Sequence, residues 1–287
     1  MSTKIADKGS LVLVLLFLFN TIGHLSAQLP DATSATASFA SKLVINLPQE
    51  NSLKFDTASV DLSVKLSIAV YVVRDINGNL NFDSASILPI LGNINNYFKP
   101  IGISFIVNSV KIIDDYNYSY LSVKNIPKEM LIKHSTENTI NLYLVDSISK
   151  DSVSYYGFTY FPDDTLHNYI FLSKYFFDAN YISCLLGHFF GLLSTHEKVL
   201  GLEYVDESNC STKGDLICDT YADPDLFGMV NKKCLFTGQL KDPNGKYYVP
   251  SVANLMSNSP GHCRCQFTFQ QYRRMYFYYK KFRQYLR

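Results

Sequence analysis

The sequence predicts one α/β domain: a strand–helix–strand first half, a central helix, and an irregular second half that ends in a helix. Three observations carry this. β-Branched segments flank a helical segment between residues 66 and 107. Ile182, Leu185, Leu186, Phe189, Phe190 and Leu193 recur at the spacing of an apolar helical stripe. Residues 195–261 then lack periodicity and carry dense turn signals, before a last helical segment.

Taken in order, residues 1–27 read as a signal peptide. Lys4 and Lys8 precede an apolar run at 11–19 that is too short to span a bilayer, and Leu25-Ser26-Ala27 stands before Gln28 as the cleavage site. An uncleaved anchor is the alternative. Residues 28–65, rich in Ser, Thr and Ala at their start, are expected to be a flexible leader or a removable pro-segment. The domain proper spans 66–287. Its elements are a strand at 66–73, a turn at 75–79, and a helix over 87–98 with Ser84 or Ser86 as N-cap and Lys99-Pro100 as its stop. Strands follow at 103–107 and 140–145, and two more at 154–160 and 169–176 about a turn at 162–164. The central helix comes next, and the final one is expected over about 268–285.

The chain has 287 residues, enough for one large core, and a net charge of +1; removing Lys4, Asp7 and Lys8 with the leader leaves zero. That balance does not suggest a nucleic-acid partner. Arg273, Arg274, Lys280, Lys281, Arg283 and Arg287 do form a local basic run, which is read as a terminal helix packing its aromatics on the domain. No segment after the leader is apolar enough to cross a membrane, so the mature chain is expected outside the cell or in the periplasm. All six cysteines fall between 184 and 265. Cys210, Cys218, Cys234, Cys263 and Cys265 lie in loop-like sequence as disulfide candidates, with connectivity open.

Chemistry concentrates in three blocks. Residues 181–197 read Y-I-S-C-L-L-G-H-F-F-G-L-L-S-T-H-E, residues 214–224 read G-D-L-I-C-D-T-Y-A-D-P, and residues 254–257 read N-L-M-S. In that order they resemble the pappalysin-type metzincins, especially the secreted bacterial cytophagalysin-like members. The likeness runs from about residue 66 to the C-terminus. The first block is similar to the family's H-E-x-G-H-x-x-G-L-x-H-T helix, the second to its G-D-x-x-x-D-T-P-A-D-P loop and the third to its N-I-M-S-Y Met-turn. The resemblance implies a metzincin fold: a twisted mixed sheet above a cleft, a helix as its floor, and Met256 beneath a zinc ion.

In that family two histidines at i and i+4 share one helical face, and a third follows the glycine. Together they hold a zinc whose water is deprotonated by the glutamate beside the first histidine. Here His188 and Gly191 keep their positions, whereas Cys184 replaces the first histidine, Leu185 the glutamate, Ser194 the third histidine, and Asn258 the tyrosine after the Met-turn. Leucine cannot act as a base; losing a positioned base typically costs about 10²–10⁴ in rate.

The reading is therefore an exported, metallopeptidase-like domain that has lost hydrolytic chemistry, expects no cofactor, and binds a peptide or protein. One alternative is a zinc endopeptidase with a rearranged site of Cys184, His188 and His196. Another is a structural exported protein that shares only the fold. A Cys184–His188 nucleophilic pair lacks an orienting third group. The acids Glu203, Asp206, Asp215, Asp219, Asp223 and Asp225 suit calcium in kind but not in spacing.

Overall fold

The computed structural model describes residues 34–58, 60–162 and 167–286. The signal-peptide segment and part of the turn at 162–164 lie outside them. Thirteen α- and β-elements follow in chain order. They are α1 (Ser34–Ser52), β1 (Val64–Val73), α2 (Ile87–Phe98), β2 (Ile103–Ile113), β3 (Tyr120–Ser122), α3 (Lys128–His134) and β4 (Ile140–Val145). Then come β5 (Ser147–Lys150), β6 (Val153–Tyr155), β7 (Gly157–Thr159), β8 (Tyr169–Ser173), α4 (Ala179–Phe189) and α5 (Phe269–Tyr278).

The main sheet has the order β2-β1-β4-β8-β7. β1, β2, β4 and β8 pair in parallel, and β7 runs antiparallel to β8 at one edge. β4 is buried along its whole length, as expected of a central strand covered on both faces. Alternation along the strands therefore builds two cores. Leu66, Ile68, Val70 and Val72 of β1 face a cluster with Ile94 and Phe98 of α2 and Ile182, Leu185 and Phe189 of α4. Ala69, Tyr71 and Val73 face the other way, toward Met130 of α3 and Leu121 and Ile148 of the small sheet β3-β5-β6.

Several boundaries differ from the sequence reading. The expected strand at 154–160 is split, because the chain leaves β6 in the small sheet and enters β7 in the main one. Gly157 permits the crossing: a Cβ there would meet the Phe171 carbonyl oxygen and Leu185 Cδ1 at 2.7 Å. Ahead of α2, Asp83 rather than a serine caps a short 3₁₀ turn, and Ser86 at the α2 N-cap makes no side-chain cap bond. The last helix is α5 followed by a π turn at Tyr279–Arg283, with Thr268 and Gln271 forming a capping box at its start.

Residues 34–52, expected to be flexible, form helix α1. Three of its apolar side chains decide this against a Ser/Thr/Ala composition. Phe39, Ala40 and Leu43 are buried with Phe161, Leu193, Leu216 and Tyr278. Phe39 stacks on Phe161 with ring centroids 4.1 Å apart. At the other end of α1, both carboxylate oxygens of Glu50 accept from Arg274 Nε at 3.2 Å, with each side chain 1% exposed. Arg274 also donates to the carbonyls of Asp215 and Leu216 at 2.6 Å. Of the basic run, Arg274 and Arg283 are buried, Arg283 donating to the carbonyls of Tyr160 and His167, while half-buried Arg273 donates to Asn51 and exposed Lys281 to Asn46.

Two disulfides join Cys210 to Cys218 and Cys234 to Cys263; Cys265 is a free, exposed thiol and Cys184 a free, buried one. Extended disulfide bonding suits an oxidising compartment. Among the described residues no helix is long and apolar enough to cross a membrane.

Candidate functional site

The site is built on α4, which is buried along nearly its whole length. Asp178 caps its start by accepting from the Asn180 N–H at 2.8 Å. Its end is a Schellman-type closure: Leu192 N–H returns to the Gly187 carbonyl and Gly191 N–H to that of His188, both at 2.9 Å. Gly191 has φ +94°, a left-handed conformation that glycine tolerates without strain. Beyond it Thr195 N–H donates to the Met256 carbonyl at 3.1 Å, tying the exit to the Met-turn. Met256 is buried under the helix, so close that a Cβ on Gly187 would lie 2.5 Å from its sulfur. Asn254 Oδ1 accepts from the Met256 N–H at 2.8 Å and holds the turn.

Cys184 and His188 share one face of α4. His188 Nδ1–H donates to the Leu192 carbonyl at 2.8 Å, which turns Nε2 toward Cys184 Sγ, 3.9 Å away. Tyr156, between β6 and β7, donates its hydroxyl to the same sulfur at 3.3 Å. Phe161 sets its ring edge-on to His188, centroids 5.9 Å apart, and Phe39 of α1 covers Phe161 in turn. Leu185 is fully buried against Gly157 of β7.

A cation completes the cluster. Arg264 is 3% exposed; its guanidinium lies 4.7 Å from the Tyr181 ring centroid and 5.8 Å from that of Tyr156, and Nη1 donates to the Ser257 carbonyl at 3.3 Å. Burial alone would raise the Cys184 thiol, but the hydrogen bond and charge of His188, with the charge of Arg264, hold it below its ordinary value. Burial likewise acts to lower His188, and its contact with Cys184 outweighs this and raises it.

His196 does not join them. The preceding Thr195 donates to Asp223 Oδ2 at 2.7 Å, and His196 lies in the field of Asp223, its Nδ1 buried without a partner among the described residues. The ligand atoms of Cys184, His188 and His196 do not gather within 4.8 Å. Among the described residues the one Cys/His/Asp/Glu trio that does is Cys234, His262 and Cys263, and its two sulfurs are already bonded to each other. The acidic loop is wired into turns: Asp206 accepts from Lys246, Asp215 from Ile217 N–H, Asp219 from Gln270 N–H, and Asp225 from Asn258.

Glu203 is the exception. It is 5% exposed, and both carboxylate oxygens lack a partner among the described residues. Burial first, then Asp215, Glu207 and Asp223, push its carboxyl up to about 9 from 4.5. A folded-state value above the unfolded one favours folding fully below the unfolded value and ceases to do so as pH rises through the folded value. Glu203→Gln is therefore expected to match wild type near pH 5 and to exceed it near pH 8 by on the order of 1–3 kcal/mol. Urea unfolding at both pH values reads this; identical pH dependence in the two proteins would exclude it.

Arg264, Tyr156 and Phe161 escaped sequence reasoning. They reach α4 from separate segments, and no spacing rule links a β-edge tyrosine or a residue between two cysteines to a helix face.

With this geometry established, comparison with solved structures is informative. Mature mirolysin of Tannerella forsythia in complex with a cleaved peptide superposes with a TM-score of 0.52 at 14% identity, covering 74% of this chain and 90% of that one. A second mirolysin structure, in complex with compound 9, gives 0.52 and 14%, covering 75% and 91%. The fold is metzincin-like. At this identity the likeness establishes the fold alone. No protein-family model matches the sequence, and no curated protein matches it.

A metzincin-like fold makes zinc the ion to consider, and the donor set can be judged directly. A catalytic zinc takes three protein ligands and keeps one open position. Among the described residues two donors converge here, Cys184 and His188, next to a buried guanidinium that opposes a second cation. These residues do not fit a catalytic zinc.

Proposed function

We propose that this metzincin-like chain is an exported domain without peptidase activity that acts by binding a peptide or protein partner. The observation that carries it is Leu185, which stands at the general-base position of the motif and is sealed against Gly157 of β7. Among the described residues no carboxylate stands there to take a proton from water, and Cys184 is held by the Tyr156 hydroxyl and faces His188. Both features leave a peptidase-like scaffold suited to holding a chain rather than cutting it. Residues 1–27 act as the export signal in this reading, which agrees with the two disulfides.

The test is incubation of the purified chain, with and without added zinc, against a broad peptide library, cleavage being scored by mass spectrometry. No cleavage is expected, while some library peptides are expected to be retained on the immobilised protein. Cleavage by wild type that is lost in His188→Ala would overturn the reading. It would favour instead a rearranged zinc endopeptidase, for which the 3.9 Å approach of Cys184 to His188 is the supporting observation.

A further inference from the structure

The buried guanidinium of Arg264 has no carboxylate partner among the described residues. The ion pairs of the fold tie Arg74, Lys124, Lys174, Lys246 and Arg274 to acids, and Arg264 is not among them. An uncompensated charge in a protein interior is costly, so some other group must balance it. Its neighbours are the rings of Tyr156 and Tyr181, the Ser257 carbonyl, and Cys184, whose sulfur is held by Tyr156 and faces His188. Its charge therefore falls on the polar atoms around it, with Tyr156 linking it to the Cys184 sulfur, and it is one of the influences that hold the Cys184 thiol below its ordinary value.

We propose that Arg264 takes over the electrostatic role of the metal: its guanidinium supplies the positive charge beside Cys184 and His188, and it closes the site to divalent cations. The Ser257 carbonyl anchors one arm of the fork next to the Met-turn, and two tyrosine rings flank its plane. The barrier to zinc is therefore twofold. Donors have been lost from the chain, and an internal cation stands next to those that remain. Restoring the histidines alone does not reopen the site.

This rests on the non-hydrolytic reading only in so far as wild type carries no zinc. The experiment is zinc stoichiometry and affinity, by elemental mass spectrometry after equilibrium dialysis, on wild type, C184H/S194H, and C184H/S194H combined with R264M. Thermal unfolding confirms that each is folded. R264Q replaces R264M if the apolar side chain is not accommodated, and R264K serves as the variant that keeps the charge. Wild type and C184H/S194H are expected to remain without bound zinc, as is the triple variant with R264K. Removing the charge is expected to raise zinc affinity by about 10²-fold or more, the scale of a unit charge against a divalent ion at an effective dielectric of about 20. Stoichiometric zinc in C184H/S194H with an affinity unaffected by R264M or R264Q would overturn the role of Arg264 and leave the non-hydrolytic reading standing. Zinc in wild type that is lost in His188→Ala would overturn both.

Discussion

Glu50→Ala is expected to destabilise the domain by about 3–5 kcal/mol, the cost typical of stranding one partner of a buried ion pair. Arg274 is the partner: its Nε meets both Glu50 oxygens at 3.2 Å, and its other two nitrogens are committed to the carbonyls of Asp215 and Leu216. Without Glu50 the guanidinium keeps its carbonyl contacts and loses its counter-charge in a place water does not reach. A shift of the urea midpoint with an unchanged slope reads the effect. The double variant E50A/R274M is expected to recover part of the loss, since removing both charges is less costly than removing one. A loss below about 1 kcal/mol for Glu50→Ala would mean that α1 contributes little to holding the domain together. We therefore expect α1 to stay with the mature fold, and trimming residues 28–52 to reproduce the Glu50→Ala loss and to add the exposure of Phe161 and Tyr278.

Gly191→Ala is expected to cost about 3–4 kcal/mol, from two sources that act at one atom. At φ +94° an alanine is strained whatever surrounds it. Its Cβ would also lie 2.8 Å from Tyr278 Cγ and 3.0 Å from Cδ2, and Tyr278 is fully buried between α1 and the end of α4. Gly78→Ala separates the two terms. Gly78 has φ +80° but nothing within 4 Å of its Cβ position, so only the strain remains, on the order of 1 kcal/mol. Equal thermal shifts for the two substitutions would show that the Tyr278 contact carries no weight.

The elements legible in the sequence are those whose periodicity survives without tertiary help. β1, β4 and α2 appear within a residue or two of where their apolar spacing puts them, whereas α4 ends at Phe189, four residues before Leu193 of its stripe, because the chain turns at Gly191. β2 runs on to Ile113, six residues past the expected end, because Ser109 and Lys111 on an exposed edge strand do not read as apolar. α3 and the strands of the small sheet are three to seven residues long, too short for periodicity to register. α1 was illegible for another reason: its stability comes from Phe39, Leu43 and Glu50 meeting partners far along the chain. At the site the motif spacing locates His188, Gly191 and Met256, since helix, exit and Met-turn are local patterns. What surrounds them is not local, so Arg264, Tyr156 and the turning away of His196 emerge only from the fold.

The Glu50–Arg274 pair joins residues 224 apart. Synthesis runs from the N-terminus, so α1 has no counter-charge, and only part of its apolar seat, until α5 has been made. A pairing of that separation pays loop-closure entropy before its contact forms, and forms late for that reason. Consolidation of α1 therefore waits for α5, and in the interval Phe39, Leu43 and Glu50 lack their full set of partners.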